Sequence, residues 1–418
     1  MQPREEVDAP FELVVSHVSR YWRAVAIGTR QLWSNISIQA GGSLSAMQEY
    51  LQRSAECSLD ITIISDGPVF GGPDFTLTLL DAAMEHINRW RRCTVDSFQE
   101  DVDSQLIARL SAAKAPSLEY LSIGVEFSDH LRPSANTPES VSSTPQIFTG
   151  GCPRLTFLHL RGLAIYFFRP PLGTITTLRI NHTKAMSIRF LQFRAMLLAC
   201  RSLLHLRVSG DVIGTQPWPQ PNSVNVPNLR SLSISSLRGT NYSGILLAVN
   251  APLLEQLSLK GVQEHDLDYF FSSPYSSKFG HLRSLGFCDS NITTLKYRSL
   301  FTSFPSVSEF TFVSASISLS PPNFLKVISP SQAYPQVPWP CLQTLSIAID
   351  FDEEEEELLR EVVERRMMIG YGLMRIRLGI GEEDLSYFSC FEWLQQYVTI
   401  EPVQSSNIVC LCDDLFGV

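Results

Sequence analysis

Arg161, Arg179 and Arg207, together with His159 and His205, occupy alternate positions of three short apolar runs. The sets are Phe157/His159/Arg161, Thr177/Arg179/Asn181 and His205/Arg207/Ser209. A guanidinium presents a planar fork of N–H donors that fits a carboxylate or a phosphate, so the chemistry open to such residues is recognition of an anion. Motifs for bond cleavage are missing: the sequence contains no G-x-S-x-G, no P-loop, no G-x-G-x-x-G and no H-E-x-x-H. Its eight histidines do not cluster with acids at ligand spacing. Nine cysteines stand at 57, 93, 152, 200, 288, 341, 390, 410 and 412 without a C-x-x-C pair, and Cys410-x-Cys412 has no second ligand pair. The chain is therefore expected to be no enzyme, to hold no metal or cofactor, and to keep reduced thiols.

The elements that must position these cations come from one recurring phrase, apolar-x-x-apolar-x-apolar, usually with a proline two residues ahead. It is clearest as Pro227–Ile234 (Pro-Asn-Leu-Arg-Ser-Leu-Ser-Ile) and recurs at Pro116–Ile123, Pro153–Leu160, Pro252–Leu259 and Pro340–Ile347. Looser copies lie at Ile175–Ile180, Leu203–Val208, Leu282–Phe287, Val307–Phe312 and Leu373–Leu378. In Leu-x-Leu the two apolar side chains point to one side of a strand and the residue between them to the other. One such strand cannot bury its apolar face alone, so copies must stack. The leading apolar residues are spaced by 37, 20, 28, 26, 25, 28, 25, 35 and 31 positions, mostly near the period of about 20–29 that leucine-rich repeats show. The expected fold is α/β, a leucine-rich-repeat-like solenoid with a curved parallel sheet. Its flanking residues would place the arginines side by side. That band is read as a receptor for an acidic or phosphorylated protein segment; the plain alternative is a solvated face whose arginines pair with local acids.

A chain of 418 residues with 44% hydrophobic and 18% charged residues has the composition of an ordered protein. Its net charge of -9 speaks against nucleic-acid or anionic-membrane partners. Met1–Pro10 carries no apolar signal core, and no run of about 18 apolar residues could span a bilayer. A cytoplasmic or nuclear location is expected.

Ahead of the repeats, Val14, Val18, Tyr21, Trp22 and Val25 recur at helical spacing, Gly28 can stop the helix, and Thr29 can cap a short following one with Leu32 and Trp33. By itself this stripe suits a helical cap on the end of a repeat array. The run Val-Ser-His-Val-Ser-Arg-Tyr-Trp-Arg-Ala-Val-Ala-Ile-Gly-Thr-Arg-Gln-Leu-Trp-Ser-Asn-Ile-Ser-Ile also resembles the second half of an F-box. It is most similar to the F-box-like proteins of mushroom-forming fungi, which commonly carry leucine-rich repeats. Trp22-Arg23, Ala26, Thr29, Leu32-Trp33-Ser34 and Ile36 match that pattern in order, with Ser19 where Cys is common and Arg30 where Pro is common. The family's first F-box helix, with its Leu-Pro-x-Glu start and Ile-Phe pair, is not found ahead of Phe11, so the resemblance is to an F-box truncated at its N-terminal half.

What the resemblance implies is a substrate-recognition subunit of an SCF-type cullin–RING ubiquitin ligase. Val14, Val18, Trp22, Leu32 and Trp33 would dock on the Skp-type adaptor, and the repeats would select a protein target through His159, Arg161, Arg179, His205 and Arg207. Outside that complex the chain is expected to be a monomer. The second function class is a stand-alone leucine-rich binding scaffold.

The expected organisation is a partial F-box over 1–38, irregular first repeats over 39–115, the repeat array over 116–380 and a C-terminal cap over 381–418. Three insertions, Ser128–Gly151, Gly214–Val226 and Ser318–Pro340, read as solvated loops, with Trp218 or Trp339 as alternative partner anchors. The acidic run Asp350–Glu357 followed by Arg360, Arg365 and Arg366 reads as a solvated helix whose charges follow its dipole.

Overall fold

The computed structural model describes residues 10–39, 42–65, 72–97, 100–125, 145–182, 187–214, 218, 220–314, 323–329, 337–349, 351–381 and 388–403. The chain divides into two compact units, one ending at Thr176 and one built from nearly all residues from Thr177 onward.

The first unit opens with helices α1 (Phe11–Val18) and α2 (Arg20–Gly28) and a 3₁₀ turn at Arg30–Trp33. Strands β1 (Asn35–Gln39), β2 (Leu59–Ser65), β3 (Trp90–Ser97), β4 (Tyr120–Val125) and β5 (Phe157–Gly162) then pair in sequence order, all parallel. Their crossovers carry α3 (Leu44–Arg53), α4 (Gly72–Met84) and α5 (Glu100–Ser111), and α6 (Ala164–Phe167) follows β5. Parallel neighbours require such crossovers, because a strand must return to its starting end before pairing again.

The second unit repeats the scheme. Strands β6 (Thr177–Asn181) and β7 (His205–Ser209) lead to a two-residue strand β8 (Val224–Asn225), then β9 (Ser231–Ser235), β10 (Val249–Asn250) and β11 (Gln256–Lys260). β12 (Ser284–Cys288), β13 (Glu309–Val313), β14 (Thr344–Ala348), β15 (Arg375–Leu378) and β16 (Thr399–Pro402) complete it. β8 pairs with β10 apart from the main ladder, and the others form one parallel series. Connecting helices are α7 (Phe190–Ala199), α8 (Thr240–Ala248), α9 (Asp268–Phe271), α10 (Thr294–Ser303), α11 (Asn323–Ile328), α12 (Glu353–Met368) and α13 (Phe391–Leu394).

All ten copies of the repeated phrase are strands of these ladders. Their three apolar positions, for example Leu229/Leu232/Ile234 and Leu254/Leu257/Leu259, are buried without exception. The expected α/β architecture with parallel strands is observed. Several local expectations are corrected. The N-terminal stripe is not one helix: Ser19 adopts extended backbone, ends α1, and accepts the Trp22 amide at 3.2 Å as the cap of α2. The described parts of the three insertions are only partly solvated: Thr149, Gly150, Asn222 and Pro340 are exposed, whereas Ile147, Phe148, Val224 and Trp339 are buried. Residues 126–144 and 404–418, including the expected cap at Cys410–Val418, lie outside the described residues. Cys57, Cys93, Cys152, Cys200, Cys341 and Cys390 are free thiols, whereas Cys288 is disulfide-bonded, contrary to the expectation of reduced thiols throughout. Among the described residues no helix is long and apolar enough to cross a membrane.

Candidate functional site

The helix pair α1–α2 is tied down from beneath by polar contacts and one indole. Trp33 is fully buried, and its Nε1–H donates to the Ala26 carbonyl at 2.8 Å. Tyr50 meets that indole edge-on at 5.0 Å, and the Arg53 guanidinium lies 4.3 Å over its ring. Tyr50 Oη also donates to Glu12 Oε1 at 2.6 Å, joining α3 to α1. Arg23 Nε donates to the Ser16 carbonyl at 2.9 Å and locks the two helices together. With Trp33 and these hydrogen bonds as the anchor, only Ser16 and Ala26 of the helix pair are buried.

The apolar side chains are left outside. Val18 is 65% and Trp22 47% exposed, and Phe11, Val14, Tyr21 and Val25 accompany them on the surface. An apolar stripe of this size in contact with water is unusual for a surface without a partner. Of the five residues proposed for adaptor contact, Val14, Val18 and Trp22 are exposed, Leu32 is half-buried, and Trp33 lies inside. Helical periodicity shows that a stripe exists. It cannot say whether the stripe faces the core or the solvent.

The outward strand positions of each unit form further candidate surfaces. On the first unit they form three rows. In the first row the Arg92 guanidinium covers the Tyr120 ring at 4.3 Å, and Tyr120 stacks on Phe157 at 4.4 Å and 11°. Parallel register brings about this alignment by placing Arg92 beside Tyr120 and Tyr120 beside Phe157. In the second row Ser122 Oγ lies 3.1 Å from His159 Nδ1. In the third, Arg161 Nη2 pairs with Asp96 Oδ1 at 2.7 Å. This pair spans two strands because the residue between them is Gly124: a Cβ there would stand 2.7 Å from both partners. Asp96 and Gly124 are functional neighbours that sequence reasoning missed. Their sign was available in the register, as both fall on the outward position shared with Arg161.

On the second unit, Arg179 of β6 and Arg207 of β7 stand directly opposite each other in parallel register. Adjacent strands are about 4.8 Å apart, so the two residues present like charge at one register position. Arg207 Nε also donates to Ser209 Oγ at 3.3 Å. His205 is exposed on β7, and partial desolvation pushes its imidazole below its ordinary range, which favours the neutral form at neutral pH. It offers a hydrogen bond rather than charge. Beyond β7 the same face changes character: Ser233, Ser258, Thr311 and Ser346 are small and buried although they point away from the core.

The strand faces thus hold cations, stacked rings and the Ser122–His159 contact. Among the described residues no group of three or more His, Cys, Asp or Glu is arranged to hold a metal ion. Burial pushes the Cys93, Cys152, Cys200 and Cys390 thiols up to about 12, which makes them inert at neutral pH. No protein-family profile matches the chain, and no curated protein matches it.

Proposed function

We propose that the chain is the substrate-recognition subunit of an SCF-type cullin–RING ubiquitin ligase, a partial F-box followed by leucine-rich repeats. The observation that carries this reading is the solvent-facing apolar stripe of α1–α2, which coincides with the run that resembles an F-box. Burying such a stripe against a Skp-type adaptor would remove apolar surface from water, the main source of affinity in helix-mediated contacts. The strand face then captures a protein target. The neighbouring guanidinium groups of Arg179 and Arg207 suit an acidic or phosphorylated segment. The chain breaks no bond itself. It raises the local concentration of a target lysine at the catalytic subunits, an effect of proximity. The cytoplasm and nucleus are where such a complex would act.

Two variants test the two surfaces separately. Val18→Glu with Trp22→Glu should abolish co-purification with the adaptor while the fold survives, because both side chains are outside. Arg179→Glu with Arg207→Glu should leave adaptor binding intact and abolish capture of acidic or phosphorylated peptides. Adaptor capture undiminished in the first variant would refute the helix-pair assignment. Peptide capture undiminished in the second would refute the arginine assignment. If the strand face captures peptide but no adaptor binds, the chain is a stand-alone leucine-rich scaffold.

A further inference from the structure

The Pro-Trp-Pro turn at 338–340 closes one side of a cavity of about 760 Å³ in the second unit, with Phe301, Val327 and Tyr371 among its walls. That volume lies within the range of about 300–1,000 Å³ typical of small-molecule sites. The turn is held in an unfavourable conformation: Trp339 has a φ of +43°, a left-handed value that bulky residues avoid. What holds it is Arg366. This side chain is fully buried and donates from Nη1 to the Pro338 carbonyl at 2.8 Å, from Nη2 to the Trp339 carbonyl at 2.9 Å and from Nε to the Tyr371 carbonyl at 3.2 Å. All three acceptors belong to residues that line the cavity. Among the described residues no carboxylate pairs with Arg366, and these three hydrogen bonds all go to backbone carbonyls.

The rest of the lining continues this polarity. Arg298 and Lys326 stand at the cavity and no Asp or Glu is among the described residues that line it, in a chain whose net charge is -9. Lys326 also reaches Glu354 at 3.0 Å, an exposed contact that a bound anion would compete with. Two buried groups on lining residues lack a hydrogen-bond partner among the described residues, Trp339 Nε1 and Ser329 Oγ. An indole N–H can only donate, so the partner missing there is an acceptor. Such orphaned buried groups are rare in folded proteins and point to an absent ligand.

We propose that this cavity binds a small organic anion, an apolar ring or chain carrying one negatively charged group. The apolar body packs against Phe301, Val327 and Tyr371, and the anion is drawn by Arg298, Lys326 and the fixed charge of Arg366. The site is separate from both surfaces assigned above and does not depend on the ligase reading.

The test is a fluorescence titration of the full chain with 8-anilinonaphthalene-1-sulfonate, which has the required composition, and with the neutral N-phenyl-1-naphthylamine. Wild type should show one saturable site for the anionic probe. Arg298→Glu with Lys326→Glu should weaken it by about ten-fold or more, and Val327→Trp should abolish it by filling the space. The neutral probe should bind at least about ten-fold more weakly and ignore the charge changes. Thermal unfolding checks each variant, with Thr302→Trp, at an exposed lining position, as a second filler if Val327→Trp fails to fold. Equal affinity in wild type and variants, or equal affinity for the two probes, would overturn the assignment.

Discussion

Trp22 and Trp33 lie eleven positions apart in the same run, and the structure gives them opposite tasks. Trp33 is sealed beneath the helix pair with its indole N–H bonded to Ala26, so it builds the surface without being part of it. Trp33→Ala should therefore cost about 3–5 kcal/mol in urea denaturation, as for a large buried aromatic. Trp22→Ala should stay within about 0.5 kcal/mol, as for an exposed side chain; equal costs would contradict this division. Lys278 makes a different residue-scale prediction. Its ammonium donates to Asn222 Oδ1 and to the Leu247 and Val249 carbonyls, with burial pushing it down to about 7. The folded state thus sheds a proton near pH 7 that the unfolded chain keeps to its ordinary 10.5. Between those values the unfolded state binds more protons, so this group makes stability rise with pH. Chemical denaturation of wild type and Lys278→Met at pH 7, 8 and 9 should show wild type gaining on the variant at each step. A constant difference would mean that the three oxygen acceptors hold the ammonium charged throughout.

Among the elements, α12 shows how local sequence sets a boundary. Asp352 Oδ1 accepts the Glu354 and Glu355 amides at 2.8 and 3.0 Å, and Glu355 Oε2 accepts the Asp352 amide at 3.0 Å. Asp352→Ala should cost about 1 kcal/mol in thermal or urea unfolding, the usual worth of such a cap; no loss would mean that the helix is held by its packing alone. The helix behind the acidic run, like the ten repeated strands, was legible in the sequence because its cause is local. The features that escaped have distant causes. β1 carries Ile36 and Ile38 but no leading leucine, and becomes a strand by pairing with β2, whose register partners lie 25 residues on. Trp339 sits in a proline-rich stretch that reads as a solvated loop, and is buried because Arg366, 27 residues later, grips its carbonyl. The open face of α1–α2 was half legible: spacing disclosed the stripe, and only the packing of Trp33 decides which way it points. The arginine rows were legible as positions on strands, whereas the Asp96 partner of Arg161 depended on Gly124 leaving room between them.

At the scale of the whole molecule, each unit keeps its apolar side chains inside and its cations, rings and hydroxyls on the outward strand positions, so recognition and stability use different residues of the same strands. The helix pair keeps Phe11, Val14, Val18, Tyr21, Trp22 and Val25 in water within one short segment, and the proposed function rests on that concentration. Isothermal titration of a purified Skp-type adaptor into the full chain tests it most directly, run at several temperatures. The expected result is saturable one-to-one binding with a negative heat-capacity change, the mark of apolar burial, lost on Val18→Glu with Trp22→Glu. Absence of saturable binding by the folded chain, or binding that survives those substitutions, would contradict the ligase assignment.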